Sequence, residues 1–166
     1  MALFEIILVI ILICLLFLVG MNRLLPLRGA AEQAAVTGSI GAMQAALGNR
    51  VAATVVKEGF AALPQFEGRN PVEFLAQPPA DYRGAQSPLE LDAMAPGDWA
   101  FDSSRGVLVY RVRYAQYLSQ GLRNPPRGEW RIELRYEGEG RRAEELRSVL
   151  LTPLAELRWR MDEAEQ

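Results

Sequence analysis

A single carboxylate, Glu5, lies near the start of a long apolar run, where an acid has few partners. Between Met1 and Met21 no other side chain is charged. An acid in the hydrocarbon region of a bilayer costs roughly 2.5–3.5 kcal/mol, and such residues usually pair with a cation and mark function. The next basic residue is Arg23. The nearest cation for Glu5 is therefore an α-amino group, either that of Met1 or that of a neighbouring subunit.

The run that contains Glu5 has the composition of a membrane anchor. Residues 6–21 would rise about 24 Å as a helix, close to the roughly 30 Å hydrocarbon core of a bilayer. A cleavable secretory signal fits less well because the basic n-region is lacking, and a plain single-pass anchor is a further alternative. Cys14 is interpreted as an inert apolar filler of the segment. The side chains expected to anchor the helix are Ile6, Leu8, Ile10, Leu15 and Phe17.

Composition argues against several other kinds of chemistry. The 166 residues include no His and one Cys, which excludes disulfides within the chain and Cys/His zinc sites. The net charge is −2 with both signs interspersed, so no nucleic-acid contact is expected. Asp98 and Asp102 are expected to be solvated rather than to hold calcium, and Ser103-Ser104 to form a turn. We therefore expect no catalytic site, no metal site and no cofactor.

One near-continuous helix over residues 2–58 is predicted to position Glu5. A local break is expected at Asn22–Pro26, because proline removes a backbone donor, and Gly59 is expected to follow the last turn. Beyond the break, apolar residues recur every three or four positions, which predicts one buried stripe: Val36, Ile40, Met43, Leu47, Val51 and Val55. The polar side is predicted to comprise Glu32, Gln33, Thr37, Gln44, Asn49 and Lys57.

The rest of the chain predicts a globular head that begins with a long loop. Residues 61–97 are rich in turn formers, with a short helix expected at Pro71–Gln77. An antiparallel sheet is predicted over residues 98–160. It opens with a hairpin whose strands are Asp98–Asp102 and Val107–Tyr114.

The clearest strand of the predicted sheet follows this hairpin. Its inward face is expected to be Trp130, Ile132, Leu134 and Tyr136, and its wet face Glu129, Arg131, Glu133 and Arg135. We expect this strand to be central and to lie across the helix. A last strand or strand pair, Val149–Leu151 and Leu154–Arg160, is interrupted by Pro153, which predicts an edge or bulge.

These elements predict an α+β fold in which the sheet packs on the helix stripe. Three regions follow from the pattern. Residues 1–28 form the hydrophobic anchor and assembly helix, residues 29–60 form its amphipathic continuation, and residues 61–166 form the head.

Several segments together resemble the type IV pilin and type II secretion pseudopilin family. Mature chains of that family begin with a methylated hydrophobic residue and carry Glu as the fifth residue of an apolar helix. Met1-Ala2-Leu3-Phe4-Glu5-Ile6 matches this start in register. The head is similar to minor pilins near the mannose-sensitive haemagglutinin pilus group, through Asn70-Pro71, Pro78-Pro79-Ala80-Asp81-Tyr82-Arg83-Gly84, Pro96-Gly97-Asp98-Trp99-Ala100-Phe101-Asp102 and Gly106-Val107-Leu108-Val109-Tyr110.

The resemblance implies a structural subunit of a pilus or secretion filament. It implies a pilin-like fold, a single pass through the bacterial inner membrane with the head in the periplasm, and an extracellular or periplasmic filament after assembly. Its partners would be homologous subunits, prepilin peptidase and the assembly platform proteins. Glu5 would pair with the N-terminal amine of Met1 in the neighbouring subunit.

Two other classes of function remain open on the residues alone. One is a single-pass anchored scaffold or binding module unrelated to filaments, for which Glu5 would be unimportant. The other is a small lipid- or metabolite-binding sheet domain, indicated by the aromatic residues alone. We expect those aromatics to belong to the core: Trp99, Tyr110, Trp130 and Tyr136.

Overall fold

Two helices occupy the first third of the chain. The computed structural model describes residues 2–24, 27–119, 124–136, 146–155 and 157–160. Helix α1 spans Ala2–Leu24 and helix α2 spans Leu27–Glu58. Of the break predicted at Asn22–Pro26, residues 22–24 are helical and belong to α1. Residues 25 and 26 lie outside the described residues, as does Met1. Gly59 follows α2 with a φ of 78°, a conformation that favours glycine, and its N–H bonds the carbonyl of Val55.

The head contains one five-stranded sheet. Its strands are β1 (Tyr82–Gln86), β2 (Trp99–Asp102), β3 (Val107–Arg111), β4 (Arg127–Tyr136) and β5 (Leu146–Ala155). They lie in the order β1-β2-β3-β4-β5, with β1 parallel to β2 and all other neighbours antiparallel. The α+β prediction is confirmed. The prediction that the sheet begins at residue 98 is wrong, because β1 lies in the segment expected to be a loop.

Strand β1 was not predicted because its own sequence does not have the pattern of a strand. It is five residues long and includes Gly84 at φ 88°. It joins the sheet only by pairing with β2, in which Trp99 lies opposite Tyr82 of β1. The short helix predicted at Pro71–Gln77 is a 3₁₀ helix that ends earlier, at Phe74.

The predicted hairpin is confirmed. Asp102 of β2 lies opposite Val107 of β3, with the turn between them. Strand β3 ends at Arg111, three residues before the predicted end. In β4 the inward face is confirmed, with Trp130 and Ile132 buried.

The position predicted for β4 is only partly right. It pairs with β3 on one side and β5 on the other, so it is an interior strand, but the middle strand is β3. Strand β5 forms the edge, as predicted from Pro153, and its register shifts beside that residue. The last segment is shorter than predicted, since Trp159 forms only an isolated bridge with Leu118.

Helix α2 packs against the inner face of the sheet, and the predicted stripe is confirmed. Val36, Met43 and Leu47 are buried in the main core, and the other three stripe residues pack against it. This core also contains the predicted aromatic residues: Trp99, Tyr110 and Trp130, with Tyr136 packed against them. The ring of Trp99 makes tilted contacts with both Tyr110 and Trp130, with centroids 4.6 Å and 5.5 Å apart.

A second apolar cluster covers the outer face of the middle strands. It consists of Met94, Ala100, Val107 and Val109, with Leu89 and Leu91 packed against it. The loop before β2 covers this face, and Arg111 holds the loop by donating to the carbonyls of Leu91 and Met94. The sheet is therefore covered on both sides at β2 and β3, whereas the sequence predicted one buried face.

The prediction of an exposed polar side for α2 is wrong at Glu32, Gln33 and Gln44, none of which is exposed. Glu32 is buried, and half-buried Gln44 accepts a hydrogen bond of 2.7 Å from the N–H of Leu151 in β5. An outward N–H on an edge strand is a pairing site for another chain. The Gln44 side chain accepts a hydrogen bond from this N–H, and Pro153, two residues later, has no N–H to offer. The long edge of β5 is thus protected in its second half.

Candidate functional site

Helix α1 is the least covered part of the described chain. Its 23 residues rise about 35 Å. All five predicted anchor residues are exposed, Ile6 at 58% and Phe17 at 68%, and Cys14 is exposed and free. The segment Leu3–Met21 is long and apolar enough to span a membrane, and none of it is buried by the head. The structure is thus compatible with single-pass anchoring.

Glu5 lies in the first turn of α1 and is exposed. It forms no hydrogen bond or ion pair with any described residue, and the position of Met1 lies outside the description. A carboxylate in the first turn is favoured by the helix dipole, which contributes only about 0.3–1 kcal/mol. That is less than the cost of an acid in hydrocarbon. In a membrane Glu5 therefore still needs a cation from elsewhere.

A second carboxylate, Glu32, joins α2 to the end of β3. Its Oε1 accepts from the Tyr110 hydroxyl at 2.7 Å and from the Arg113 N–H at 2.6 Å, and its Oε2 accepts from the Tyr114 N–H at 2.9 Å. Burial raises the pKa of Tyr110, and its hydrogen bond to Glu32 raises it further. Tyr110 is thus held as a donor. The sequence offered no local signal for this site, because its partners lie about eighty residues away.

A third carboxylate, Glu129, was predicted to be on the wet face of β4, and this is wrong. Its side chain is 1% exposed. Arg105 donates to Oε2 at 3.0 Å and Arg127 to Oε1 at 2.8 Å. Burial alone would raise the pKa of Glu129, but the hydrogen bonds and charges of the two arginines outweigh it and lower the pKa to about 2. The arrangement is an ion triad around a buried carboxylate, and it ties the hairpin turn to β4.

The two aspartates that flank β2 are also not solvated. Asp98 accepts from Arg83 and from the N–H of Ala95, and the hydrogen bond from Arg83 lowers its pKa. Asp102 accepts from the N–H and the hydroxyl of Ser104 and closes the hairpin turn. Both are buried. Their oxygens hold the turn and the loop, and no group of three or more metal-ligating side chains occurs among the described residues.

An open groove runs between the first half of α2 and the sheet. Its volume is about 560 Å³, and Trp99 and Tyr110 lie on its floor with Glu32. Arg113 at the rim pairs with Asp81 at 3.6 Å. Every oxygen of Glu32 in this groove already accepts a hydrogen bond, so the groove presents apolar surface more than reactive groups. The four buried carboxylates described above are thus structural, whereas Glu5 lies exposed on an apolar helix.

Comparisons with known proteins add no identification. No protein-family model matches the chain, and neither the curated proteins nor the solved structures gave a match.

Proposed function

We propose that this protein is a structural, non-enzymatic subunit, a minor pilin or pseudopilin, of a type IV pilus or type II secretion filament. The observation that carries the proposal is the uncovered apolar helix α1 with one carboxylate, Glu5, that has no partner among the described residues. Exposed apolar surface of this extent does not persist in water. It requires a bilayer, the helices of other subunits, or each in turn.

The division of labour between the two helices supports this proposal. The inner stripe of α2 is covered by its own sheet, so the head closes without help from another chain. Glu32 and Gln44 fasten α2 to β3 and β5 through hydrogen bonds. The head leaves α1 free. A subunit that waits in the inner membrane and then assembles through its helix needs this separation.

In the proposed mechanism, α1 anchors the monomer with the head in the periplasm. Prepilin peptidase would process the chain, and the assembly platform would bring α1 beside the helices of other subunits. Glu5 would then pair with the amine of Met1 in the neighbour. In a low dielectric such a pair sets axial register, because an uncompensated buried charge costs about 3–5 kcal/mol.

The proposal is tested by replacing Glu5. Glu5→Ala and Glu5→Gln should leave the monomer inserted and folded but reduce the yield of sheared filaments, or secretion, by roughly tenfold or more. Leu15→Ala, which alters the same helix without changing its charge, is the control and should assemble. Insertion is measured by resistance to alkaline extraction.

Normal assembly of both Glu5 variants would refute the register pair. A chain that stays in the membrane fraction and enters no filament, with or without Glu5, would identify a single-pass scaffold instead.

A further inference from the structure

The end of the head closest to α1 carries a group of arginines that form no ion pair with a described residue. Two positions, 25 and 26, separate α1 from α2. With consecutive Cα atoms 3.8 Å apart, the first residue of α2 lies within about 11 Å of the end of α1, whatever the angle between them. Any residue that packs on the first turn of α2 is therefore close to the membrane surface when α1 is inserted.

Tyr117 is the residue that packs there. A Cβ atom on Gly29 would lie 2.7 Å from the ring of Tyr117, so only glycine permits this approach. The chain after β5 is hydrogen-bonded to the segment that contains Tyr117. The N–H of Arg160 donates to the carbonyl of Tyr117 at 2.9 Å, and the N–H of Ser119 donates to the carbonyl of Arg158 at 2.8 Å. Both arginines are thus held beside the start of α2.

The charges at this end are exposed. Arg28, Arg158 and Arg160 are all exposed, and none forms an ion pair with a described residue. Trp159 between the last two is buried, and since side chains alternate along an extended segment, its two neighbours are directed outward. We call Arg28, Arg158 and Arg160 the basic collar.

No described acid neutralises the basic collar. Glu32, one turn along α2 from Arg28, is buried and fully occupied by its three donors. Asp81 pairs with Arg113 at the rim of the groove. The rings of Tyr114 and Tyr117, 6.4 Å apart, lie beside the collar, and tyrosine is favoured at membrane interfaces because it combines an apolar body with a polar tip.

We propose that the basic collar binds the headgroups of anionic phospholipids in the bilayer that holds α1. Basic residues next to a membrane span are attracted to anionic lipid, and each multiplies the ratio of docked to undocked head by roughly fivefold, so three give roughly 100-fold. The attraction is screened by salt. The proposal rests on the anchoring of α1 and not on filament assembly. Such docking holds the head of the unassembled subunit on the membrane.

The test uses the full chain in vesicles of phosphatidylcholine, with or without an equal part of phosphatidylglycerol. In a Cys14→Ser background, a fluorophore is placed at exposed Gln116 through Gln116→Cys, and quenching by a lipid with a quencher on its headgroup is measured. Gln65→Cys is the control label, since it lies beyond the far end of α2, a helix about 48 Å long. Quenching at position 116 should be stronger with phosphatidylglycerol and weaker at high salt, and at position 65 it should not change.

Matched charge variants identify the residues responsible. The collar triple is Arg28→Gln, Arg158→Gln and Arg160→Gln. The control triple removes the same charge from exposed arginines elsewhere: Arg50→Gln, Arg69→Gln and Arg135→Gln. The collar triple should lower the docked-to-undocked ratio by roughly 100-fold and the control triple should leave it unchanged. Near-ultraviolet circular dichroism checks that each triple is folded, and the salt dependence of the unmodified chain tests the proposal without any charge variant.

Quenching at position 116 that is equal in both kinds of vesicle, or equally reduced by both triples, would overturn headgroup binding. Release of the chain from the membrane by alkaline extraction would refute the anchoring of α1 on which this proposal depends. Filament yield is a separate measurement that tests assembly. Residues 161–166 include three acids. Docking that appears only in a chain ending at Arg160 would mean that this acidic segment occupies the collar, and would also overturn the proposal.

Discussion

Replacing Glu129 by Gln should remove a pH-dependent part of the stability of the head. The folded-state pKa of Glu129 is about 2, below its ordinary value of 4.5. A group whose pKa is lowered by folding contributes stability above its unfolded pKa, and this contribution is lost as the pH falls towards the folded value. The difference between the two pKa values corresponds to on the order of 3 kcal/mol. The loss should therefore extend from about pH 5 down to about pH 2.

At pH 7 the same substitution leaves two arginines without their charged partner. Arg105 is 44% exposed and can regain water, but Arg127 is only 12% exposed. Breaking a buried pair by removing one partner costs about 3–5 kcal/mol, and we expect Glu129→Gln to lie near the lower end. The measurement is urea unfolding of the full chain in detergent micelles, followed by tryptophan fluorescence from pH 7 to pH 3.

The prediction is tested by the difference in unfolding free energy between the parent chain and Glu129→Gln. This difference should shrink by roughly 2 kcal/mol between pH 6 and pH 3. Glu133→Gln is the control, because Glu133 lies on the same strand and forms no ion pair with a described residue. A difference that stays constant with pH, or a matching change for Glu133→Gln, would refute the argument that the arginines hold Glu129 as a buried anion.

Two further substitutions test the packing of the head. Trp130→Ala should cost roughly 3–5 kcal/mol, because the residue is only 7% exposed and its ring contacts that of Trp99. Arg131→Ala should cost about 1 kcal/mol or less, since it loses one hydrogen bond to the carbonyl of Arg105; equal falls in the urea midpoint would contradict this ranking. Leu47→Asp should cost several kcal/mol by placing an unpaired charge at a fully buried site, while Asn49→Asp on the exposed side should leave the melting temperature nearly unchanged. An unchanged melting temperature for Leu47→Asp would mean that this stripe faces another subunit.

Local periodicity was sufficient for the elements whose residues interact with water or with apolar surface alone. The spacing of Val36, Met43 and Leu47 predicted the buried face of α2, and the alternation of Trp130 and Ile132 predicted the buried face of β4. In both cases the hydrophobic effect acts on each side chain in nearly the same way wherever the partner lies. The pattern therefore carries the information without the partner being known.

The burial of polar residues was not predicted, because it depends on specific partners. Glu32, Gln44 and Glu129 occupy positions that an amphipathic pattern assigns to water, and each is removed from water by its own partners. A buried carboxylate is stable only when specific donors reach it. The partners of Glu32 and Gln44 come from distant segments, so nothing within one helical turn indicates them. Glu129 has one donor two residues away, Arg127, but its second donor, Arg105, comes from the hairpin turn before β3.

By itself the sequence determined an apolar helix with one acid, an amphipathic continuation and a head of short strands, because composition and period depend on local physical chemistry. Only the tertiary structure decided that α1 stays uncovered while α2 is enclosed, that β1 joins the sheet in parallel, and that Arg28, Arg158 and Arg160 meet at one end. These outcomes depend on which distant segments pack together, and the close approach of Tyr117 to Gly29 is one such contact. They arise because buried polar groups must find hydrogen-bond partners and water must be excluded across the whole head, and no single segment contains both members of these contacts.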